Sequence, residues 1–223
     1  MFDRDPDDLA VWMFGTPNGG VQNGLAYVDF TPRRGDATLA PSISLDTTLA
    51  TEVNTSGGAN PAIMSASVEY HAAAVYNTAS NTMYLYVNGA LVDSASMGGG
   101  NITQLSATEA WFGAAVYWGD NNLNGAINEI RIYNGPLTSS QIATNYALGP
   151  NVLPQPSLTI VPGAASVAIA WSELFPGYTL QSSPVVGGGA MWTPVSTPPV
   201  LSGGSYTVTL PTTNTAIFFR LTN

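Results

Sequence analysis

The sequence contains no cysteine and no lysine, and its only histidine is His71. Without cysteine, the chain cannot form disulfides, use a thiolate nucleophile or hold a metal through sulfur. Charged residues make up 9% of the chain, against roughly 25% in a typical soluble domain, and the formal net charge is −9. Since binding a polyanion requires clustered cations, we expect neither nucleic acid nor an anionic membrane surface as a partner.

Long hydrophobic runs are missing as well. The first ten residues, MFDRDPDDLA, are acidic and lack the apolar core of a signal peptide, and no later stretch is long enough to span a bilayer. We therefore expect no signal peptide in this chain and no membrane insertion. The aspartates Asp3, Asp5, Asp7 and Asp8 are interpreted as a solvated terminus rather than a ligand set. Glycine, serine, threonine and asparagine supply the polar surface, which is typical of an extracellular β-protein.

Proline and glycine divide the chain near residue 150. A predicted helix ends at Gly149, and the proline-rich stretch GPNVLPQP follows it. This pattern predicts a first domain over 1–150, a linker over 151–156 and a second domain over 157–223. Beyond the linker, short alternating strands separated by turns predict a small fibronectin-like β-sandwich. These strands are SLTIVPG, SVAIAW, GYTLQSS, SYTVTL and AIFFRL.

The first domain is predicted to be a series of β-strands with one short helix. Asn88-Gly89 inside MYLYVNGALV predicts a tight hairpin turn. NGAINEIRIY predicts a strand that leads into a helix with Thr138 as its N-cap. Ile142, Tyr146 and Leu148 follow at near-helical spacing. The predicted strands are LAVWMFG, LAYVDFTP, ATLAPSISL, PAIMSASV, YHAAAVYN, MYLYVNG, LVDSASM, EAWFGAAV and AINEIRIY.

Three of these segments together resemble the laminin-G-like, concanavalin A-type jelly roll. EYHAAAVYN, MYLYVNGALV and NGAINEIRIY match that family's motifs in order and spacing, and the resemblance covers about residues 8 to 150. It implies an all-β jelly-roll sandwich with one short helix. Such a domain would have further strands before residue 10, so we expect the chain to start inside the fold. An open sheet edge would then allow two copies to associate.

The second domain carries a weaker likeness. GYTLQSS, MWTPV, VTLP and FFRL resemble a C-terminal module of large secreted proteins of environmental bacteria. Together the two resemblances imply an extracellular or cell-surface location.

His71 is the residue through which any histidine-dependent mechanism must run. It matches one of two histidines in a strand of the family, where the resemblance implies packing and backbone hydrogen bonding, and Tyr70 occupies the place of the other. No G-x-S-x-G elbow and no Glu-x-Asp-x-Glu run is present. Alternation places His71 on a face with Ala73 and Val75, which predicts packing against the second sheet. A structural role is favoured, and catalysis by His71 with Tyr70 remains the alternative.

The loop GDNNLNG predicts a calcium site. Asp120, Asn122 and Asn124 alternate ahead of Gly125, as at the start of a calcium loop. Arg131 stands at the twelfth position, where an EF-hand needs glutamate, so an EF-hand is excluded. Asn128, which replaces an aspartate of the family motif, is a fourth candidate ligand. A simple turn rich in asparagine and glycine explains the same residues and remains open.

Aromatic residues next to this loop predict a ligand platform. Tyr117 and Trp118 lie at the loop mouth, with Trp111 before it and Asn121 within it. Flat rings contact the C–H faces of sugars, and asparagine side chains bond their hydroxyls. The leading prediction is non-catalytic, calcium-assisted binding of a glycan or cell-surface polymer. The alternatives are a calcium-dependent hydrolase or lyase acting on an extracellular polymer or ester, and a structural adhesion or spacer module.

Overall fold

A computed structural model describes residues 10–17, 24–33, 40–47, 52–55, 64–105, 109–114, 122–213 and 216–223. The chain forms two compact units, Met1–Val152 and Leu153–Asn223. Both are built from antiparallel β-sheets, and one α-helix is present among the described residues, which confirms the all-β class. No helix in these parts of the chain is long and apolar enough to cross a membrane.

The described residues of the first unit form two sheets. The order of one is β4-β3-β2-β1-β8, and that of the other is β5-β6-β7. A 3₁₀ turn at Ile102–Gln104 precedes β8, and helix α1 spans Ser139–Leu148. The strands are β1 (Trp12–Pro17), β2 (Gly24–Thr31), β3 (Ser42–Asp46), β4 (Val53–Asn54), β5 (Ala72–Asn77), β6 (Thr82–Val87), β7 (Ala90–Ser96) and β8 (Glu109–Phe112).

The core of the first unit lies between these two sheets. The five-stranded sheet contributes alternate apolar residues of β2 and β3, and β6 contributes Met83 and Leu85 from the opposite side. Because successive side chains of a strand point to opposite faces, the residues between those apolar positions lie on the outer face of the five-stranded sheet. The core residues of β2 and β3 are Val28, Phe30, Ile43 and Leu45.

The predicted hairpin turn at Asn88-Gly89 is confirmed. It connects β6 and β7, and both residues have positive φ, 51° for Asn88 and 78° for Gly89, as a type I′ turn requires. A Cβ on Gly89 would lie 2.9 Å from Cδ1 of Tyr146 on α1. Glycine is therefore needed here both for its backbone conformation and for the close approach of the helix.

The predicted helix and its N-cap are also confirmed. The Thr138 hydroxyl accepts the Gln141 N–H at 3.3 Å, and the Gln141 side chain accepts the Thr138 N–H at 2.7 Å. Ile142 is fully buried against Val75 and Tyr86, so α1 packs on the side of the three-stranded sheet that faces away from the core. The other apolar residues of the helical pattern, Tyr146 and Leu148, are 46% and 40% exposed.

The strand predicted over Asn124–Tyr133 is wrong. The segment has only an isolated bridge at Gly125 and otherwise forms no ladder with a neighbouring strand among the described residues. Its side chains hold it instead, since Arg131 pairs with Glu129 at 2.7 Å and donates to the Val152 carbonyl at 3.1 Å. The isoleucines gain little from burial, because Ile127, Ile130 and Ile132 are 37%, 41% and 76% exposed.

Another strand prediction fails at PAIMSASV. Its described part, 64–68, forms turns, although Met64 is buried in the core. The hydrophobic pattern of this segment therefore reflects the burial of Met64 in the core and not a β-strand.

The second unit is a sandwich of two sheets around its own core. One sheet has the order β13-β14-β10-β9, and the other has the order β12-β11-β15. Ile169 and Trp171 of the first sheet pack with Leu180 and Leu221 of the second. The strands are β9 (Thr159–Pro162), β10 (Ser166–Ser172), β11 (Thr179–Ser183), β12 (Thr193–Pro194), β13 (Val200–Ser202), β14 (Ser205–Pro211) and β15 (Phe218–Thr222).

Candidate functional site

The outer face of the five-stranded sheet carries polar side chains in adjacent strands. Tyr27 and Asp29 of β2 lie beside Asp46 and Ser44 of β3, in the register Tyr27 to Asp46 and Asp29 to Ser44. All four are buried, with exposed fractions of 8% or less. Two carboxylates, a phenol and a hydroxyl are thus buried on the outer side of this sheet, away from the core between the two sheets.

Hydrogen bonds extend this polar group to the β4 edge. The Tyr27 hydroxyl donates to Oε2 of Glu52 at 2.6 Å, and Nδ2 of Asn54 donates to Oε1 of the same carboxylate at 3.0 Å. Gly15 of β1 pairs with Tyr27, and a Cβ there would lie 2.7 Å from the Tyr27 Cβ. The missing side chain at Gly15 therefore makes room for the tyrosine.

The charge of Asp29 also acts on the core side of the sheet. The Tyr76 hydroxyl on β5 donates to the Ser44 carbonyl at 2.9 Å. Burial, and secondarily the Asp29 charge, raises the pKa of Tyr76 well above 10.0. The phenol therefore stays protonated and serves as a hydrogen-bond donor that joins the two sheets.

Trp111 occupies the opposite edge of the outer face, on β8. It pairs with Met13 of β1 and packs beside Met13 and Tyr27, whereas Phe112 points to the other face, contacts Phe14 and is 48% exposed. Of the predicted platform, Trp111 is thus next to the polar group. The other platform residues, Tyr117, Trp118 and Asn121, lie outside the described residues.

The loop that carries those residues has closely spaced ends. The Leu123 N–H donates to the Gly113 carbonyl at 2.8 Å, and the Gly113 N–H donates to the Val11 carbonyl at 2.8 Å. Gly113 has a φ of +73°, a conformation that favours glycine. The loop therefore starts and returns at the β1–β8 edge, beside Trp111.

The predicted calcium ligands are only partly described. Asn122 and Asn124 are exposed, and Asp120 lies outside the described residues. Nδ2 of Asn128 donates to Oε1 of Glu69 at 2.6 Å, so this side chain bonds the segment before β5. No group of three or more histidine and acidic side chains in the described parts of the chain could hold a metal. Calcium binding stays a prediction.

His71 faces α1, which corrects the prediction that it packs against the second sheet. Ala73 and Val75, which share its face, contact the helix side, and the His71 ring lies 5.9 Å from the Tyr146 ring. The His71 N–H donates to Oδ1 of Asn88 at 3.0 Å. Nδ1 is buried without a hydrogen-bond partner among the described residues. Burial, followed by the nearby Arg131 charge, lowers the pKa of His71 from 6.5.

Tyr70 does not join His71 in a catalytic pair. Tyr70 packs against the core between the sheets, and its hydroxyl accepts the Ser65 N–H at 3.0 Å. Adjacent residues of an extended segment point to opposite faces, so the two candidate groups are separated by the sheet itself.

Sequence reasoning missed the polar group on the outer face. The signal was present in LAYVDFTP and PSISLD, where Tyr27 and Asp29, and Ser44 and Asp46, alternate with apolar residues. Each strand alone reads as an ordinary half-buried strand. Only the β2–β3 register shows that their polar positions are neighbours.

Comparisons with known proteins place the first unit in context. A family model described as the concanavalin A-like lectin/glucanases superfamily matches residues 9–143, more than half of the chain. No curated protein shows significant sequence similarity.

Solved structures also match parts of this chain. The Ruminococcus gnavus IT-sialidase CBM40 bound to alpha2,3 sialyllactose is 13% identical with a TM-score of 0.49, and the match covers 64% of this chain and 77% of that one. NanB with Optactamide is 18% identical with a TM-score of 0.50, covering 77% of this chain but only 28% of NanB. An S-layer domain-containing protein of Clostridium thermocellum ATCC 27405 is 19% identical with a TM-score of 0.30, covering 65% and 63%.

Proposed function

Since this chain belongs to the concanavalin A-like lectin/glucanase superfamily, we propose that its first unit is an extracellular carbohydrate-binding module. The observation that carries the proposal is the outer face of the five-stranded sheet, where the buried Tyr27 fixes the exposed carboxylate of Glu52 at one edge and the half-buried Trp111 lies at the other. Membership of the superfamily by itself does not decide function, because one fold hosts many activities.

The dimensions and chemistry of this face suit an oligosaccharide. Five strands spaced about 4.8 Å apart give a surface roughly 19 Å wide from β4 to β8. Glu52 at one edge and Trp111 at the other supply a hydrogen-bond acceptor and a ring for a sugar C–H face. Tyr27, on β2 between these two edges, fixes the Glu52 carboxylate through its hydroxyl. In this proposal the glycan lies across the strands, and no bond is made or broken.

The loop after β8 completes the proposed site. Tyr117 and Trp118 would add rings beside Trp111, and Asn121 would bond sugar hydroxyls. Calcium held by Asp120, Asn122 and Asn124 would order the loop through oxygen ligands. The site would be on the outside of the cell or on its surface, where glycans and cell-surface polymers are available.

A glycan array followed by calorimetry with the best ligand tests the proposal on the full chain. Trp111→Ala should weaken binding at least tenfold, since one sugar-stacking ring is lost. Phe112→Ala is the matched control, because this adjacent aromatic residue lies on the opposite face and should leave affinity within about twofold. Equal effects of the two variants, or loss with Phe112→Ala alone, would remove the outer face from consideration. Absence of any glycan ligand would leave the adhesion or spacer module as the better account.

Calcium involvement has its own measurement. Calcium that binds only the folded protein raises its melting temperature according to ligand concentration and Kd. We expect this rise in the wild type, its loss in Asp120→Ala, and its retention in Asp8→Ala, which removes one acid from the N-terminal cluster instead. An unchanged rise in Asp120→Ala would show that the loop is not the site.

A hydrolase is the second candidate, and apart from His71 the outer side of the sheet holds a pair of carboxylates, Asp29 and Asp46, which are 8% and 4% exposed. Asp29 and Asp46 are diagonal neighbours on adjacent strands, about 7–8 Å apart between Cα atoms. Glycoside hydrolysis uses two carboxylates on one surface, one as acid and one as base or nucleophile. Release of reducing sugar that disappears in Asp29→Asn and in Asp46→Asn, but persists in His71→Gln, would establish this activity. Loss only in His71→Gln would restore the histidine mechanism.

We also propose that two copies of this chain can associate through an open sheet edge. Within the described residues, β5 and β7 are the edges of the three-stranded sheet. Unpaired backbone groups of an edge strand can accept a strand from a second copy. Sedimentation velocity across a concentration series measures this directly, and a monomer at all concentrations would exclude it.

A further inference from the structure

The second unit is almost free of charge, and its single cation is unusually well defined. Residues 153–223 contain one arginine, Arg220, and one acid, Glu173, so the net charge of −9 is carried by the first 152 residues. Exposed charges are screened within about 8 Å at physiological salt. An anionic group that approaches Arg220 is therefore governed mainly by its immediate neighbours.

Two contacts hold the Arg220 guanidinium in place. β11 and β15 put Gln181 directly opposite Arg220, and Nε of Arg220 donates to Oε1 of Gln181 at 2.9 Å. The guanidinium carbon also lies 4.6 Å from the centre of the Trp192 ring, a cation–π contact. A long side chain that would otherwise sample many rotamers is thus oriented before any ligand arrives.

The terminal amino groups of Arg220 remain available. The side chain is exposed, and its hydrogen bond to Gln181 uses Nε, so Nη1 and Nη2 have no hydrogen-bond partner among the described residues. Guanidinium groups bind carboxylates through two parallel N–H···O bonds, with more geometric specificity than an ammonium group. The free edge of Arg220 therefore fits a carboxylate.

An apolar ring lies next to this cation. Phe219 and Leu221 point into the core, so Phe218 shares the outer surface with Arg220 and is 39% exposed. Residues two apart in a strand are about 7 Å apart. That spacing allows a sugar ring to place its C–H face on Phe218 while a carboxylate on the same ring reaches Arg220.

We propose that Gln181, Trp192, Phe218 and Arg220 form a binding site for a carboxylated saccharide on the second unit. The site is separate from the proposed glycan site on the first unit and does not depend on it. Trp192 and Gln181 are positioning residues, whereas Phe218 and Arg220 contact the ligand. A uronic acid unit of an acidic polysaccharide has the required combination of ring and carboxylate.

Calorimetric titration of the full chain with trigalacturonate tests the site. Wild-type protein should bind trigalacturonate and should not bind its methyl ester, which lacks the charge. Arg220→Gln should weaken binding at least tenfold, and Arg220→Lys should weaken it less, since the charge remains without the planar fork. Arg4→Gln is the charge-matched control and should leave affinity unchanged. Melting curves of each variant show whether the second unit is still folded.

Several results would overturn the assignment. Equal affinity for trigalacturonate and its methyl ester would show that no carboxylate is recognised, and wild-type affinity in Arg220→Gln would show that the cation is not used. If Arg220→Gln fails to fold, Phe218→Ser decides, since removing this exposed ring should also weaken binding at least tenfold. An aspartate-rich peptide that binds more tightly than the trisaccharide would replace the saccharide with a protein ligand.

Discussion

Truncation of two isoleucines to alanine, at 142 and at 132, distinguishes helix packing from an exposed extended segment. Ile142 is 0% exposed and packs against Val75, Tyr86 and Leu137. Ile132 is 76% exposed in the segment that sequence patterning predicts to be a strand. The two changes are chemically identical and lie in the same unit, so their difference reports burial together with a smaller effect of helix propensity at position 142.

The expected cost follows from these exposures. Removing a fully buried isoleucine destabilises a protein by about 2–5 kcal/mol through lost transfer energy and the cavity that remains. Alanine is the better helix former, but by at most about 0.7 kcal/mol, which offsets little of the loss. For Ile132→Ala, a surface position, the change should stay within about 0.5 kcal/mol.

Urea unfolding monitored by tryptophan fluorescence measures both variants, and scanning calorimetry adds the melting temperature. For a unit of this size, each kcal/mol lowers the melting temperature by about 2–4 °C, so Ile142→Ala should melt roughly 4–20 °C below the wild type. Comparable losses in the two variants would refute the reasoning. They would mean that Ile132 is buried, as it would be in a closing strand that packs against a sheet.

Three further expectations follow. Gly89→Ala should lower stability by about 1–2 kcal/mol from its +78° φ alone, and by more because its Cβ would lie 2.9 Å from the Tyr146 ring. Gly99→Ala is the control in the same urea assay and should be neutral, because a Cβ at Gly99 has open space around it. Because folding lowers the pKa of His71, this residue favours the folded state above pH 6.5, and its contribution should be lost as pH falls from 6.5 through the native pKa. In His71→Gln, the free energy of unfolding should therefore depend less on pH in that range. Limited proteolysis should cut first within 153–158, where Leu153 is 58% exposed; a first cut inside β11 would contradict separable units.

The tight turn and the helix start were predicted correctly because interactions between neighbouring residues specify them. Asn88-Gly89 specifies its turn because both residues tolerate positive φ, and Thr138 with Gln141 specifies a helix start because their side chains bond the free N–H groups. These effects act over a few residues and need no distant partner. The absence of cysteine likewise excluded disulfides and thiolate catalysis. The ordered motifs of the first unit were sufficient to identify its superfamily.

The candidate site depended on contacts between distant parts of the chain. Strand alternation separates Tyr27 and Asp29 from Val28 and Phe30, but does not say which pair faces the core. The same ambiguity made the His71 face appear to belong to the sheet interface, although α1 covers it. Pairing with β3 joined the two polar sets into one surface.

The sequence alone therefore determined the superfamily of the first unit, the tight turn and the capped helix, since each is encoded by neighbouring residues or by ordered motifs. Tertiary structure decided that Ile132 is exposed while Ile142 is buried, and that Gln181 and Trp192 orient Arg220. The physical reason is that the burial of a side chain, and the partner it bonds, depend on which distant segment packs against it. The sequence around an apolar or charged residue does not specify that segment.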